Sequence, residues 1–558
     1  MKKFLLIFIA QFLLWSCARV GTPAGGAKDT IPPRFLGANI DSPRVNVSTQ
    51  LKTLRLDFDE YVNLKNIQKQ LVISPPIKNI KKIIPSNLAN RYILIEWGDT
   101  LQANTTYNFN FGTAITDYNE GNVLPYFNFA FSTGAKLDSL YISGTAQLAL
   151  PQASTTSGKD TNIVLGLYQA QDSLNYRQKP YYLTKADQDG YFELDYLAHG
   201  RYKLIAFNDE NGNSVYDEGK EAVGFLKDDI DLQQRISGLD LSLYPARPQL
   251  AYKELKPATG GLLMLFEGQP KEVKVAEVSS QLKSYQVTHQ PYSDSVRIWL
   301  DPQQEQLSDK GTLLKWSYDI GTKQDTVQIF YKPNEQENAL ALQNDGGAVL
   351  APEQPLRITA NAYLNALKTE NWQLKADSTQ VLAFDAQISE KNPYQIEVKA
   401  PYEVDKKYRL LIPKTTVSSF YITNEKAYAF DFEIGKPQNY GSFMVRLSAL
   451  PPASFWIQLL DQQNKVAASQ KTHQQEIKFS SLKPGTYRLQ ILVDNNENGI
   501  WDTANLYTNT LAEGYYLFPK KIEVRPMWDL VEDWNITMAS EALENTEPST
   551  PKTLETAP

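Results

Sequence analysis

Two short stretches hold the residues best placed to do chemistry. In the first, Asp209, Asn211, Asn213 and Asp217 alternate so that side-chain oxygens can converge from one tight loop. The Val215 carbonyl and the Glu221 carboxylate extend that set towards the roughly six to eight hard oxygens that calcium prefers. The second stretch repeats the spacing with Asp494, Asn496, Asn498, the Ile500 carbonyl and Asp502. Neither is an EF-hand. Lys220 stands where a bidentate Glu would close the loop, Ala504-Asn505 gives the second copy no carboxylate, and no helical pattern flanks either copy. The same residues suit Asx-rich turns, whose side chains cap local backbone N–H groups. Structural calcium and capped turns both stand as readings, and either makes the loops rigid rather than catalytic.

Catalytic sets are harder to find. The three histidines, His199, His289 and His473, lie at a turn or in polar segments, away from any nucleophile motif. There is no Gly-x-Ser-x-Gly, His-Glu-x-x-His or phosphate loop. Asp57, Asp59 and Glu60 suggest an acid pair, but strand alternation puts Asp57 and Asp59 together on a solvated face. The expectation is that the chain is not an enzyme, that its catalytic set is empty, and that structural calcium is its one candidate cofactor.

The other chemically distinctive residue is Cys17, the only cysteine. Lys2 and Lys3 precede an apolar run, Phe4 to Leu14, that is too short to span a bilayer. This reads as a secretory signal peptide over 1–16. Leu14-Trp15-Ser16-Cys17 resembles a lipobox, and that resemblance implies acylation of Cys17 and anchoring to a membrane through an N-terminal lipid. A lone cysteine forms no intramolecular disulfide, and lipidation explains its count. Residues 17–33 read as a flexible tether. No acidic cluster follows Cys17, which favours the periplasmic face of the outer membrane over the cell surface.

The elements that position these residues are strands. Leu54 to Phe58, Tyr107 to Phe111 and Phe127 to Phe131 alternate apolar and polar positions, and no long helical periodicity follows the signal peptide. A chain of 558 residues exceeds one core, so tandem β-sandwich domains are expected in an all-β fold. The net charge is −7, and no basic patch points to nucleic acid.

Residues Leu56-Asp-Phe-Asp-Glu60, Phe111-Gly-Thr-Ala-Ile-Thr-Asp117 and Phe129-Ala-Phe-Ser-Thr-Gly134 resemble the bacterial Ig-like domain of S-layer and envelope proteins. That resemblance implies an adhesive or structural module over 34–135. Tyr408 to Gly435 repeats the spacing of Tyr107 to Gly134 and marks a second Ig-like sandwich over 337–436. Leu197, Gly200, Tyr202, Asp209, Asn211, Asn213 and Asp217 recur at one constant offset, as Leu482, Gly485, Tyr487, Asp494, Asn496, Asn498 and Asp502. The phrase Asp189 to Leu204 resembles the prealbumin-like or carboxypeptidase-regulatory-like sandwich. This gives prealbumin-like sandwiches over 137–246 and 438–538, with an unassigned β-sandwich over 248–335. Residues 539–558 have almost no apolar side chain and read as a disordered tail.

Asp-Ser/Thr phrases such as Asp29-Thr-Ile, Asp138-Ser-Leu, Asp172-Ser-Leu, Asp294-Ser-Val, Asp325-Thr-Val and Asp377-Ser-Thr resemble the O-glycosylation motif of Bacteroidota envelope proteins. The whole chain resembles the Ig-like-domain (SbsA-type) outer-membrane lipoproteins of that phylum. The resemblance implies a noncatalytic scaffold, a lipid-held rod of sandwiches that presents surfaces to an envelope protein partner. An accessory subunit of an outer-membrane assembly or secretion machine is the alternative, and glycan binding through exposed aromatics is a second.

Overall fold

The structure is a computed structural model that describes residues 28–536, except 151–161, 171–173, 280–281, 306, 309, 334–338 and 378–379. The signal peptide, Cys17, most of the tether, the tail and parts of Asp172-Ser-Leu and Asp377-Ser-Thr lie outside the described residues. Among the described residues the fold is all-β, and no helix is long and apolar enough to cross a membrane.

Alternation builds the strands. In Thr53–Leu64, Leu54, Leu56 and Phe58 are buried while Arg55 is exposed and Asp57 and Asp59 are half-buried. Arg55 pairs with Asp57 at 2.8 Å, and the Asp59 carboxylate accepts from the Arg34 amide at 2.8 Å, so neither acid faces a catalytic partner.

Apart from a two-stranded ribbon of Ala366–Leu367 and Val417–Ser418, the strands sort into five successive pairs of sheets, and each pair encloses one hydrophobic cluster. In the second pair, Leu140–Leu148 sits between Tyr191–Leu197, antiparallel, and Ile236–Leu243, parallel. The fifth pair repeats this, with Gly441–Leu447 between Glu476–Leu482, antiparallel, and Asp529–Trp534, parallel. Their facing sheets also correspond, centred on Gly200–Asn208 and Gly485–Val493. The repeat seen in sequence is thus a repeat of topology, including the start of the second copy, where the sequence pattern is weak.

The sandwiches do not form an open rod, which corrects the sequence expectation. The first sandwich joins the second through Ser74, whose hydroxyl bonds both the amide and the carbonyl of Leu183 at 3.0 Å. The third meets the fourth around Trp299, which is buried in the fourth sandwich's cluster. Ser481 of the fifth donates to the Pro352 carbonyl of the fourth at 3.1 Å. The fifth then folds back onto the second, closing the chain on itself.

Candidate functional site

The first acidic loop follows strand Gly200–Asn208, which delivers Asp209 into a buried position. Its carboxylate accepts the backbone amides of Gly212 at 2.8 Å, Asn213 at 3.0 Å and Ser214 at 3.0 Å. Asn211 accepts from the Asn213 amide at 2.9 Å and Asn213 accepts from the Val215 amide at 2.6 Å, so the Asx-turn arrangement is present. Asn211 also donates its side-chain amide to Asp217 at 2.5 Å. Glu221, two residues before strand Val223–Phe225, accepts from the Glu210 amide at 3.1 Å and the Asp217 amide at 2.9 Å.

The second loop has the same backbone. Left-handed residues at Gly212 and Ser214 are answered by Glu497 and Gly499. Asn498 accepts from Ile500 at 2.9 Å, and the side-chain amides of Asn496 and Asn498 reach Asp502 at 2.8 and 2.7 Å. The role of Glu221 is taken by Glu513, which the sequence reading missed. Its carboxylate accepts from the amides of Asn495 at 2.7 Å and Asp502 at 2.9 Å. Ala504-Asn505 indeed supply no carboxylate, but the chain returns with one after a longer excursion. The available signal was position before the next strand: Glu513 precedes Tyr515–Leu517 as Glu221 precedes Val223–Phe225.

The electrostatics of the two loops differ. In the second, Lys471 lies 2.7 Å from Asp494, and Arg247 pairs with Asp502. Burial works against ionisation of Asp502, but Asn496, Arg247 and Asn498 together hold it below the usual carboxylate range. Asp494 itself is 0% exposed, and its Oδ1 has no hydrogen-bond partner. In the first loop, burial pushes the Glu221 carboxyl up to about 7, with Asp209 and Asp217 adding to the effect against two backbone amides. The Lys185 ammonium, which bonds Asn162 at 2.9 Å, feels the Asp209 charge. The second loop therefore has two direct basic partners, while among the described residues no ion pair is made by Asp209, Asp217 or Glu221 of the first. Among the described residues no group of three or more His, Cys, Asp or Glu side chains is arranged to hold a metal by itself. Any cation would need the Asn and carbonyl oxygens as well.

The excursion between Asp502 and Glu513 is a clasp. Asn505 and Thr510 exchange backbone hydrogen bonds at its base. Leu506, 3% exposed, and Ala504 enter a cluster made by Val164, Ile205, Phe207, Tyr216 and Tyr176 of the second sandwich. This explains why Ile163–Gln169 is buried at nearly every position: one face covers its own core and the clasp covers the other. Burying one Leu side chain stabilises by about 1.5–3 kcal/mol. Polar bonds fix the register. Asn509 accepts from Lys203 at 2.8 Å and donates to the Lys227 carbonyl at 2.9 Å. Thr503 donates to the Pro245 carbonyl at 2.8 Å, and Tyr507 meets Tyr176 edge-on at 5.7 Å.

The histidines do not join this site; His289 and His473 contact backbone carbonyls elsewhere. Large exposed aromatic side chains are dispersed over four sandwiches, as at Tyr61, Tyr191, Phe330 and Trp528, rather than gathered on one face.

Residues 29–133 match the bacterial Ig-like domain family. Solved structures similar to the chain include the TIE protein of Bacillus anthracis, at 11% identity and TM-score 0.14, covering 92% of this chain and 76% of that one. The surface layer protein SbsC, domains 1–6, is 9% identical with TM-score 0.15, covering 89% and 68%. BcpA, the major pilin subunit of Bacillus cereus, is 11% identical with TM-score 0.12, covering 72% and 100%. Such TM-scores carry no argument about function. No curated protein matches the chain.

Proposed function

We propose that this chain is a noncatalytic cell-envelope lipoprotein, held by a lipid on Cys17 to the periplasmic face of the outer membrane, that acts as a scaffold for an envelope protein partner. The observation that carries this reading is how the acidic loops are used. Their carboxylates and amides bond their own backbone, and the second loop's excursion fixes the fifth sandwich on the second. The polar residues best placed for chemistry are thus engaged in shaping their own loops, and the second loop's excursion holds two domains in a set relation, which suits a scaffold. Calcium belongs to this proposal at the first loop alone, where among the described residues Asp209, Asp217 and Glu221 make no ion pair of the kind that serves Asp494 and Asp502. It would act there as a rigidifying ion.

Fractionation and affinity capture test the reading together. Tagged wild-type protein should sediment with outer membranes and recover a stoichiometric envelope protein, while Cys17→Ser should be released to the soluble fraction. A Cys17→Ser protein that stays in the membrane overturns the lipid anchor. A wild-type protein recovered alone overturns the partner scaffold.

A further inference from the structure

A cleft of about 330 Å³ lies between the third and fourth sandwiches, away from the acidic loops. The third supplies Thr288, His289 and Arg297, and the fourth supplies Asn361, Tyr363 and Tyr394. Arg297 sits on strand Ser295–Leu300, directly opposite Thr288. Its Nη2 donates to the carbonyls of Thr259 at 3.0 Å and Asn361 at 3.3 Å, and its guanidinium lies 4.8 Å from the Trp299 ring centroid. No carboxylate pairs with it among the described residues, and burial pushes its pKa down. A partly buried guanidinium without a counter-ion is costly unless a ligand supplies one.

The surroundings narrow what that ligand is. Tyr363 stacks on Phe420 at 5.4 Å and meets Tyr394 edge-on at 5.9 Å, which fixes two rings at a right angle beside the charge. His289 Nε2 lies 3.2 Å from the Ser293 carbonyl, which only accepts, so in the neutral ring Nδ1 is an acceptor. Gln290, Ser293 and Ser295 add further donors and acceptors to the lining. An apolar ring would leave His289 Nδ1 without a partner. A phosphate dianion would outweigh one guanidinium already bonded to two carbonyls. The volume is near the lower end of the roughly 300–1,000 Å³ usual for small-ligand sites.

We propose that this cleft binds a carboxylate-bearing sugar residue, a uronate, with its carboxylate on Arg297, its ring against Tyr363 or Tyr394 and its hydroxyls on the His289 and Gln290 side. This goes beyond the scaffold reading and does not depend on the lipid anchor. The test is calorimetric titration of the full chain with glucuronate and galacturonate, their methyl esters, glucose and glucose 6-phosphate. A free uronate should bind at least about tenfold more tightly than its neutral ester, which needs no variant and so is independent of folding. Arg297→Gln should lose that preference while its melting curve remains cooperative. Absence of saturable uronate binding, equal binding of acid and ester, or tighter binding of the sugar phosphate would overturn the assignment.

Discussion

At the scale of single residues, Glu221 and Glu513 carry the logic of the loops. Each places one carboxylate over the amides at the two ends of its acidic stretch, closing it from a position two residues before the next strand. Glu513→Ala would leave the Asn495, Asn496 and Asp502 amides without their acceptor, at a cost of about 1–3 kcal/mol. Urea unfolding measures this; a loss no larger than that of an exposed Glu→Ala change would contradict the role. Calcium separates the copies. It should raise the melting temperature of wild type and of Asp494→Ala but not of Asp209→Ala, and equal melting of wild type in calcium and in chelator would remove the ion from the first loop. A third prediction concerns Asp195, whose carboxyl is pushed up to about 7 by burial and then by Glu193. A carboxyl raised above its unfolded value of about 3.9 binds its proton more tightly when folded. Its contribution is therefore full below that value and is lost as pH rises towards 7. Asp195→Asn should flatten the fall in melting temperature across that window, and an unchanged slope would count against the assignment.

At the scale of elements, the clasp shows what sequence pattern reveals and what it hides. The first loop was legible because Asp209, Asn211, Asn213 and Asp217 lie within one short stretch, and local spacing sets their geometry. Glu513 was hidden because its separation from Asp502 is set by an inserted excursion, whereas its position is set by the strand that follows. Leu506 was hidden because an isolated apolar residue in a polar stretch carries no period. The β-sandwich architecture was legible from alternation, and the repeated unit from the constant offset between its copies. The cleft at Arg297 was not, since strand Ser295–Leu300 reads as plain alternation and Tyr363 and Tyr394 come from another sandwich. Leu506→Asp puts a charge into the apolar cluster around Phe207 and Tyr216. It should free the fifth sandwich from the second while both cores persist. Limited proteolysis would report this as new cleavage within 503–512, and continued protection there would contradict it.

At the scale of the whole molecule, contacts link the first sandwich to the second, the third to the fourth and the fourth to the fifth, and the clasp returns the fifth to the second. Such closure suits a scaffold, because a partner meets surfaces whose spacing is set by packing rather than by linkers. The measurement that tests this most directly is small-angle X-ray scattering of the lipid-free wild-type chain beside Leu506→Asp. The account predicts a compact wild-type profile that fits the closed arrangement, and a larger radius of gyration and maximum dimension for the variant. A wild-type profile that is already extended, and that Leu506→Asp leaves unchanged, would contradict it.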